Sequence, residues 1–299
     1  MLPIVMYTVG YSMSIVDFHI HPVNLEEFHR ADPNLTSALR DIYGLRIGLQ
    51  PLKVFVNQLR FFGVSKAAIL GLDLSRTYGV KLPRNEDLAR IISMHPDLFI
   101  GFIGLDPLKG DEALSECEKF IDKRRFKGVK LNPALQGFRP DDERIYPVYE
   151  LLEDLGAILV VHMGFSWNIR SNLTYSYPLL IEPIASKFRE LKIVLAHMGW
   201  PWIWESICLA LRYENVYLDT ADTFTGTPKD HLKKVFVETL GVNFVENFLR
   251  DKILFGSNHP RMESGKVLEA VRTLPIEDEI KGRILGLNAL HILGEVSVP

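Results

Sequence analysis

Eight short apolar runs that alternate with amphipathic segments predict a single (β/α)8 barrel. The runs are nearly continuously apolar, which is typical of strands in a parallel sheet that is buried on both faces. The segments between them carry the start and stop signals of helices. The chain has 299 residues, and a barrel of this kind fills about 250 residues as one domain. An open, doubly wound parallel sheet is the main alternative fold.

The predicted strands follow one another through the chain. In order, they are SIVDFHIH (14–21), KAAILGLD (66–73), FIGFIGLDP (99–107), KGVKLNP (127–133), AILVVHMG (157–164), KIVLAHMG (192–199), NVYLDTA (215–221) and KILFGSN (252–258). Three of the intervening helices are well marked: one begins at Asn85, one ends at Gly156, and one has Pro201 near its first turn. Because no linker or change in composition divides the chain, we expect one domain over residues 1–299.

Two segments do not fit this alternation. Residues 22–50 are longer and more poorly patterned than an ordinary connection, so we predict an insertion near the barrel mouth that covers the site. Residues 1–12 precede a first strand that is already complete. We expect them to add nothing to catalysis, either as an upstream start that is not native or as a small hairpin at the bottom of the barrel.

Charge and composition exclude several classes of protein. The 34 basic and 37 acidic residues give a net charge of -3, too balanced for a nucleic-acid or membrane-surface partner. No apolar run reaches the ~18 residues of a membrane span, and the apolar start lacks the basic region of a signal peptide. Cys117 and Cys208 have no metal-site spacing and are interpreted as free, buried thiols. Together these features favour a cytoplasmic protein that binds neither nucleic acid nor membrane.

Polar residues end several of the apolar runs, where a barrel places its active site. Asp17, His19 and His21 end the first run, Lys130 the fourth, His162 the fifth and His197 the sixth; Asn258 and His259 follow the eighth. His19 and His21 are two residues apart on a strand and therefore point the same way, so that both imidazoles could bind one metal ion. Histidines that are merely hydrogen-bonded in a packed core remain the alternative.

These motifs resemble a known family. The segments Asp17-x-His19-x-His21, Gly128-Val129-Lys130-Leu131, His162-Met163-Gly164, His197-Met198-Gly199-x-Pro201, Val216-Tyr217-Leu218-Asp219-Thr220 and Phe255-Gly256-Ser257-x-x-Pro260 are similar to those of the amidohydrolase-related TIM-barrel family that includes aminocarboxymuconate-semialdehyde decarboxylase. They extend over about residues 14 to 290, in the order of the family. The match is specific to the family and to no substrate.

The resemblance implies one divalent metal ion, with zinc favoured over manganese, held by His19, His21 and His162. It also implies His197 as the acid/base or substrate-orienting residue, and a homodimer. Three histidines leave zinc an open position for water or a substrate oxygen, which agrees with this division. Asp219, at the end of the seventh strand, is a candidate hydrogen-bond partner for a histidine ligand or a brace of the barrel mouth.

Asn258 departs from the family pattern, which has aspartate at this position. The amide oxygen can still ligate a metal, but it carries no charge and takes up no proton. Metal binding should therefore be weaker, and the proton-transfer role should pass to His197 or His259. A degenerate site that binds without turnover is the alternative.

The remaining candidates, together with His259, are predicted to bind substrate. Trp167 and Trp200 follow strands that border the site and could form an aromatic wall. Arg170 and Arg261 could hold a substrate carboxylate, as could Arg139, although surface solvation explains each equally well. Lys130 is predicted to pair with substrate or with a buried acid, and a carbamylated lysine bridging two metals is the less favoured alternative.

The sequence thus predicts a metal-dependent hydrolase or non-oxidative decarboxylase of a small carboxylated or aromatic molecule. The metal would activate water or a substrate oxygen as a Lewis acid. A metal-independent lactonase on the same fold and a non-catalytic binder of small carboxylates remain the alternatives.

Overall fold

Eight parallel strands, numbered β1–β8 in chain order, form a nearly closed barrel, as the sequence predicts. The computed structural model describes residues 14–32, 34–122, 125–222 and 224–297, so the prediction for residues 1–12 lies outside the described residues. The strands are β1 Ile15–Ile20, β2 Val64–Leu70, β3 Phe99–Gly104, β4 Phe126–Leu131, β5 Ile158–His162, β6 Lys192–Ala196, β7 Val216–Asp219 and β8 Ile253–Leu254. Each pairs in parallel with the next along the chain.

The residues that follow β8 close the barrel against β1. The Phe18 N–H donates to the Phe255 carbonyl at 2.8 Å, and the His21 N–H donates to the His259 carbonyl at 2.7 Å. In the opposite direction, the Asn258 N–H donates to the His19 carbonyl at 2.9 Å. These bonds place the histidines of the first strand beside Asn258.

The helices lie between the strands. They are Glu26–Ala31, Leu35–Asp41, Leu52–Phe61, Ser75–Tyr78, Asn85–Met94, Asp111–Phe120, Pro133–Gln136, Tyr146–Asp154, Glu182–Lys187, Ile203–Arg212, Pro228–Lys233, Val242–Phe248, Ser264–Arg272, Asp278–Gly282 and Asn288–Ile292, with π-helical segments at Lys234–Thr239 and Arg283–Leu287. A short antiparallel ribbon of Asp73–Leu74 and Val80–Lys81 follows β2. Within the described ranges, no helix has the length and apolarity to cross a membrane.

Buried apolar side chains pack on both sides of the sheet. One cluster joins residues of seven of the eight strands, including Phe18, Phe102 and Val160, to the helix Asn288–Ile292. A larger cluster lies between the strands and the surrounding helices. Cys117 is buried, but Cys208 is exposed, so the prediction of two buried thiols is wrong for Cys208. Its place on the helix Ile203–Arg212 faces away from the sheet, as the exposed Leu211 does.

Part of the predicted insertion, residues 22–50, lies at the carboxyl ends of the strands, where Ile42, Tyr43 and Leu45 line a pocket together with His21 and His197. Its ends are paired, since the Glu26 N–H donates to the Gln50 carbonyl at 3.0 Å. Its far part is held by main-chain carbonyls: the Asn168 side chain donates to the Ile42 carbonyl at 3.1 Å, and Arg261 Nη2 donates to the Tyr43 carbonyl at 2.5 Å. Residues 42–45 are thereby fixed at the barrel mouth.

Candidate active site

Four predicted histidines meet at the carboxyl ends of β1, β5 and β6. His19, His21 and His197 are buried, and His162 is half-buried. His21, His162 and His197 line a pocket of about 570 Å³, measured with the solvent at its mouth, and Asn258 lines it as well. His19 lies behind them, with its ring centre 5.0 Å from that of His21 and 5.1 Å from that of His197.

The hydrogen bonds of His19 and His21 decide which ring nitrogens are free. His19 Nδ1 lies 2.8 Å from Asp219 Oδ2, which can only accept when ionised, so Nδ1 carries the proton. His21 Nδ1 lies 3.4 Å from the Leu70 carbonyl and is likewise the donor. The two Nε2 atoms therefore face each other at 3.2 Å with lone pairs. Neither can donate to the other, whereas a cation between them would satisfy both.

The same argument applies to His162 and His197. His197 Nδ1 donates to the Ala221 carbonyl at 3.0 Å, which leaves His197 Nε2 as the acceptor of a bond from His162 Nδ1 at 2.9 Å. His162 Nε2 is then a lone pair, and it is buried with no hydrogen-bond partner among the described residues. The cluster thus contains three unsatisfied acceptor nitrogens, on His19, His21 and His162.

All four imidazoles are neutral at pH 7. Burial lowers the pKa of His19, His21 and His197 well below the ordinary 6.5 and that of His162 to about 3. The positive charge of Lys130 acts in the same direction on each of them. Neutral rings are the form that binds a metal ion or accepts a proton.

Asp219 holds two of the histidines in place. One carboxylate oxygen contacts His19 Nδ1, and the other accepts from the backbone N–H of His197 at 2.8 Å and of Ala221 at 3.0 Å. Burial raises the pKa of Asp219, and the nearby His197 and Lys130 oppose that rise. This is the histidine-orienting contact that the sequence suggested for Asp219.

Lys130 is fully buried, and its Nζ has no hydrogen-bond partner in the described part of the chain. Burial lowers its pKa to about 7, while the charge of Asp219 raises it. Lys130 lies outside the pocket lining. Its position therefore favours the predicted pairing with a buried acid over direct contact with substrate.

Backbone strain is concentrated at this site. Among the described residues, four non-glycine residues have positive φ: His197 at 63°, Met198 at 48°, Asp222 at 72° and Asn258 at 59°. Three of them, all but Met198, line the pocket. Such conformations are costly and persist where the surrounding structure enforces them, often at functional sites.

The predicted substrate-binding residues occupy different places. Trp167 and Arg261 line the pocket. Trp200 instead stacks on Phe224 with ring centres 4.5 Å apart, and Arg170 lies over the Tyr78 ring. His259 stacks on Phe55 at 4.7 Å and contacts Gln50, so it is outside the pocket lining. Arg139 pairs with Asp141 on the surface.

Several pocket residues are absent from the sequence-based prediction. They include Tyr43 from the insertion, Asp222 after β7, and Asn132, Phe165 and Asn168. The poorly patterned insertion was the only signal for Tyr43. Asp222 lies two residues after the Val-Tyr-Leu-Asp-Thr motif, and its position three residues beyond a strand end could have marked it.

The free imidazole nitrogens are of the kind that binds a divalent ion, although they do not surround a single point in this structure. In the ranges that the structure describes, no group of three or more His, Cys, Asp or Glu side chains has the arrangement of a metal site. Two acceptor nitrogens at 3.2 Å and a third unpartnered one nearby are nevertheless the ligands that zinc or manganese takes.

Comparisons with known proteins give the family. The amidohydrolase family model matches residues 16–294. The 2-amino-3-carboxymuconate-6-semialdehyde decarboxylase of Dictyostelium discoideum is 22% identical over 239 residues, which are 70% of this chain and 65% of that protein. The chain therefore matches slightly less than two thirds of the length of this curated relative.

Solved structures show the same fold. An uncharacterised TIM-barrel protein from Bordetella bronchiseptica superposes with a TM-score of 0.71 and 21% identity, covering 94% of this chain and 99% of that one. A 5-carboxyvanillate decarboxylase from Novosphingobium aromaticivorans, complexed with manganese and 4-hydroxy-3-methoxy-5-nitrobenzoic acid, gives 0.64 and 15%, covering 94% and 95%.

Proposed function

Because the chain belongs to the amidohydrolase family, we propose that it is a metal-dependent enzyme acting on a small planar carboxylic acid, with non-oxidative decarboxylation favoured over hydrolysis. One observation carries the proposal: three neutral imidazoles, two buried and one half-buried, present acceptor nitrogens that no group in the described part of the chain satisfies. His19, His21 and His162 would hold one divalent ion, zinc or manganese, and Asn258 could add its amide oxygen. When bound, the ion would supply Lewis-acid polarisation of a substrate oxygen.

Other residues of the site orient the proposed ligands and transfer the proton. Asp219 keeps the Nδ1 proton of His19 in place and so directs Nε2 of His19 toward His21. His197 lines the pocket and its ring is neutral. Its Nε2 accepts from His162 Nδ1 and would take a proton from the substrate and return it when that bond opens.

Decarboxylation suits this site better than hydrolysis. Hydrolysis needs a base that takes a proton from water and an acid that protonates the leaving group. Asn258 has no capacity for a proton, so His197 alone would have to serve both steps. Decarboxylation breaks a carbon–carboxylate bond, releases CO₂, and leaves an electron pair on carbon that takes up a proton. His197 can carry that proton. The names of the two decarboxylases described above, one of them with manganese and a benzoic acid bound, support the same substrate class.

The test compares the wild-type protein with Asn258→Asp. Elemental analysis of protein purified without chelator should find about one divalent ion per chain. Turnover is then measured on aromatic carboxylates, lactones and aryl esters, with zinc and with manganese. We expect wild-type turnover of a carboxylate with release of CO₂, and a neutral or harmful effect of the aspartate, which would neutralise part of the charge of the ion. Asn243→Asp, at an exposed position, is the control.

Other outcomes identify the alternatives. Activity that appears only in Asn258→Asp would mean that the native site is degenerate and binds without turnover. Lactone hydrolysis by protein that contains no metal would identify a metal-independent lactonase.

A further inference from the structure

Tyr43 carries a buried donor that the protein does not use. Its ring lies against His21, with ring centres 5.6 Å apart, and lines the pocket. Its hydroxyl oxygen is buried and, in the part of the chain that the structure describes, has no hydrogen-bond partner. An unpaired buried hydroxyl is costly, so a bound molecule is the natural partner. A tyrosine hydroxyl carries its proton at neutral pH and can donate it in a hydrogen bond.

Arg261 lies beside Tyr43 and is held in position. Its Nη2 donates to the Tyr43 carbonyl at 2.5 Å, and its Nε lies 3.6 Å from Asp222 Oδ2. A guanidinium has five N–H groups, and these two contacts leave donors available to a ligand. Arg261 lines the same pocket as Tyr43. The pocket thus pairs a neutral donor with a cationic one.

Four apolar side chains line the pocket near these two donors. Ile42 and Leu45 of the insertion line the pocket together with Phe165 and Trp167. Phe165 and Trp167 pack edge to face, with ring centres 4.9 Å apart. Such surfaces favour a flat apolar body, whereas an O–H and a guanidinium favour an anionic oxygen. A planar ring that carries a carboxylate satisfies both requirements.

We propose that Tyr43 is a substrate-binding residue that, together with Arg261, binds the carboxylate of a planar carboxylic acid. The Tyr43 hydroxyl and the Arg261 guanidinium each donate to a carboxylate oxygen, while Phe165 and Trp167 contact the ring. This inference rests on the proposed function, because it names the substrate group that one wall of the same pocket recognises. It does not depend on which ion the histidines hold.

The experiment measures binding of benzoate and of its neutral analogue benzamide to the full chain by calorimetry, once with manganese and once after EDTA treatment. Tyr43→Phe removes the hydroxyl and retains the ring. We expect it to raise the Kd of benzoate about 10-fold in at least one of the two conditions and to leave benzamide within 2-fold, because only the charge-assisted hydrogen bond is lost. Tyr213→Phe is the matched control, since its hydroxyl contacts Glu182 outside the pocket.

The proposal is overturned if benzoate does not bind the wild-type chain, if Tyr43→Phe changes its Kd by less than 2-fold in both conditions, or if benzamide weakens in parallel. Parallel weakening would indicate a merely structural role for Tyr43. Failure of the metal proposal has a different signature, because manganese would then change neither ligand's Kd while the effect of Tyr43→Phe on benzoate persisted.

Discussion

At the scale of single residues, the hydrogen-bond partners of each histidine show which of its ring nitrogens is free. The Nδ1 atoms of His19, His21 and His197 are all engaged by a carboxylate or a main-chain carbonyl, which frees their Nε2 atoms. His162 differs in its partner, because its Nδ1 donates to another imidazole, that of His197. His197 is therefore the one member of the cluster whose second nitrogen is already occupied by another imidazole, which distinguishes it from the three proposed ligands.

His197→Asn should keep the metal and lose turnover. The proposed ligands retain their acceptor nitrogens in this variant, whereas removal of an acid/base lowers the rate by about 10²–10⁴-fold. Elemental analysis and kcat on the best carboxylate substrate test both parts, with His291→Asn, an exposed histidine, as the control. Loss of the ion in His197→Asn would instead make His197 a ligand.

At the scale of elements, strand periodicity predicted the site only in part. All eight strands were located from their apolar runs, and His19 and His21 do place their rings together. Strict alternation would also direct Asp17 to the same face. The register of β1 with β2 shifts between Asp17 and Ile20, and Asp17 instead accepts from the Ser257 N–H at 2.9 Å. A local shift in strand register cannot be recognised from a single sequence.

Loops account for what the sequence could not predict. Tyr43 and Asp222 reach the pocket from connections whose paths depend on tertiary contacts, such as the bond between Arg261 and the Tyr43 carbonyl. Arg170 and Arg261 looked alike, as arginines just beyond strand ends, yet only Arg261 lines the pocket. A position just beyond a strand end places the main chain near the site, but it does not determine the direction in which a long side chain points.

Gly286→Ala should destabilise the barrel. Gly286 lies in the π-helical segment Arg283–Leu287, and an added methyl group would collide with the Ser14 carbonyl at the start of β1. Because a backbone atom cannot move aside as a flexible side chain can, we expect a loss of about 1–3 kcal/mol in the free energy of unfolding. Urea denaturation measures it, and Gly48→Ala, where nothing lies within 4 Å, is the control. Equal stability of the two variants would show that the segment adjusts freely.

At the scale of the whole molecule, buried histidines should make the fold sensitive to acid. Burial lowers the pKa of His231 and His259 to about 4, and the four site histidines are also lowered. Below pH 6.5 the unfolded chain therefore binds protons that the folded chain does not. The stability that these groups contribute is present above pH 6.5 and is lost as the pH falls toward 4. Asp17 has the opposite effect on the pH dependence of stability. Burial raises its pKa to about 6, so its contribution to stability is lost as the pH rises through 6.

His231→Gln isolates one such group away from the proposed ligands. A shift from 6.5 to about 4 corresponds to about 2 kcal/mol of pH-dependent stability between pH 7 and pH 5. Urea denaturation of EDTA-treated protein at these two pH values should show a smaller loss in His231→Gln than in the wild type. The exposed His291 provides the control His291→Gln, and an unchanged loss in His231→Gln would contradict the assignment.

The way the insertion is attached has a consequence for how the family can diversify. Its far part is held through the carbonyls of Ile42 and Tyr43, groups that every amino acid possesses. Mutations at positions 42, 43 and 45 can therefore change the shape and polarity of the pocket without removing the bonds that hold the segment in place. Selectivity can therefore change through these three side chains while the path of the segment stays the same.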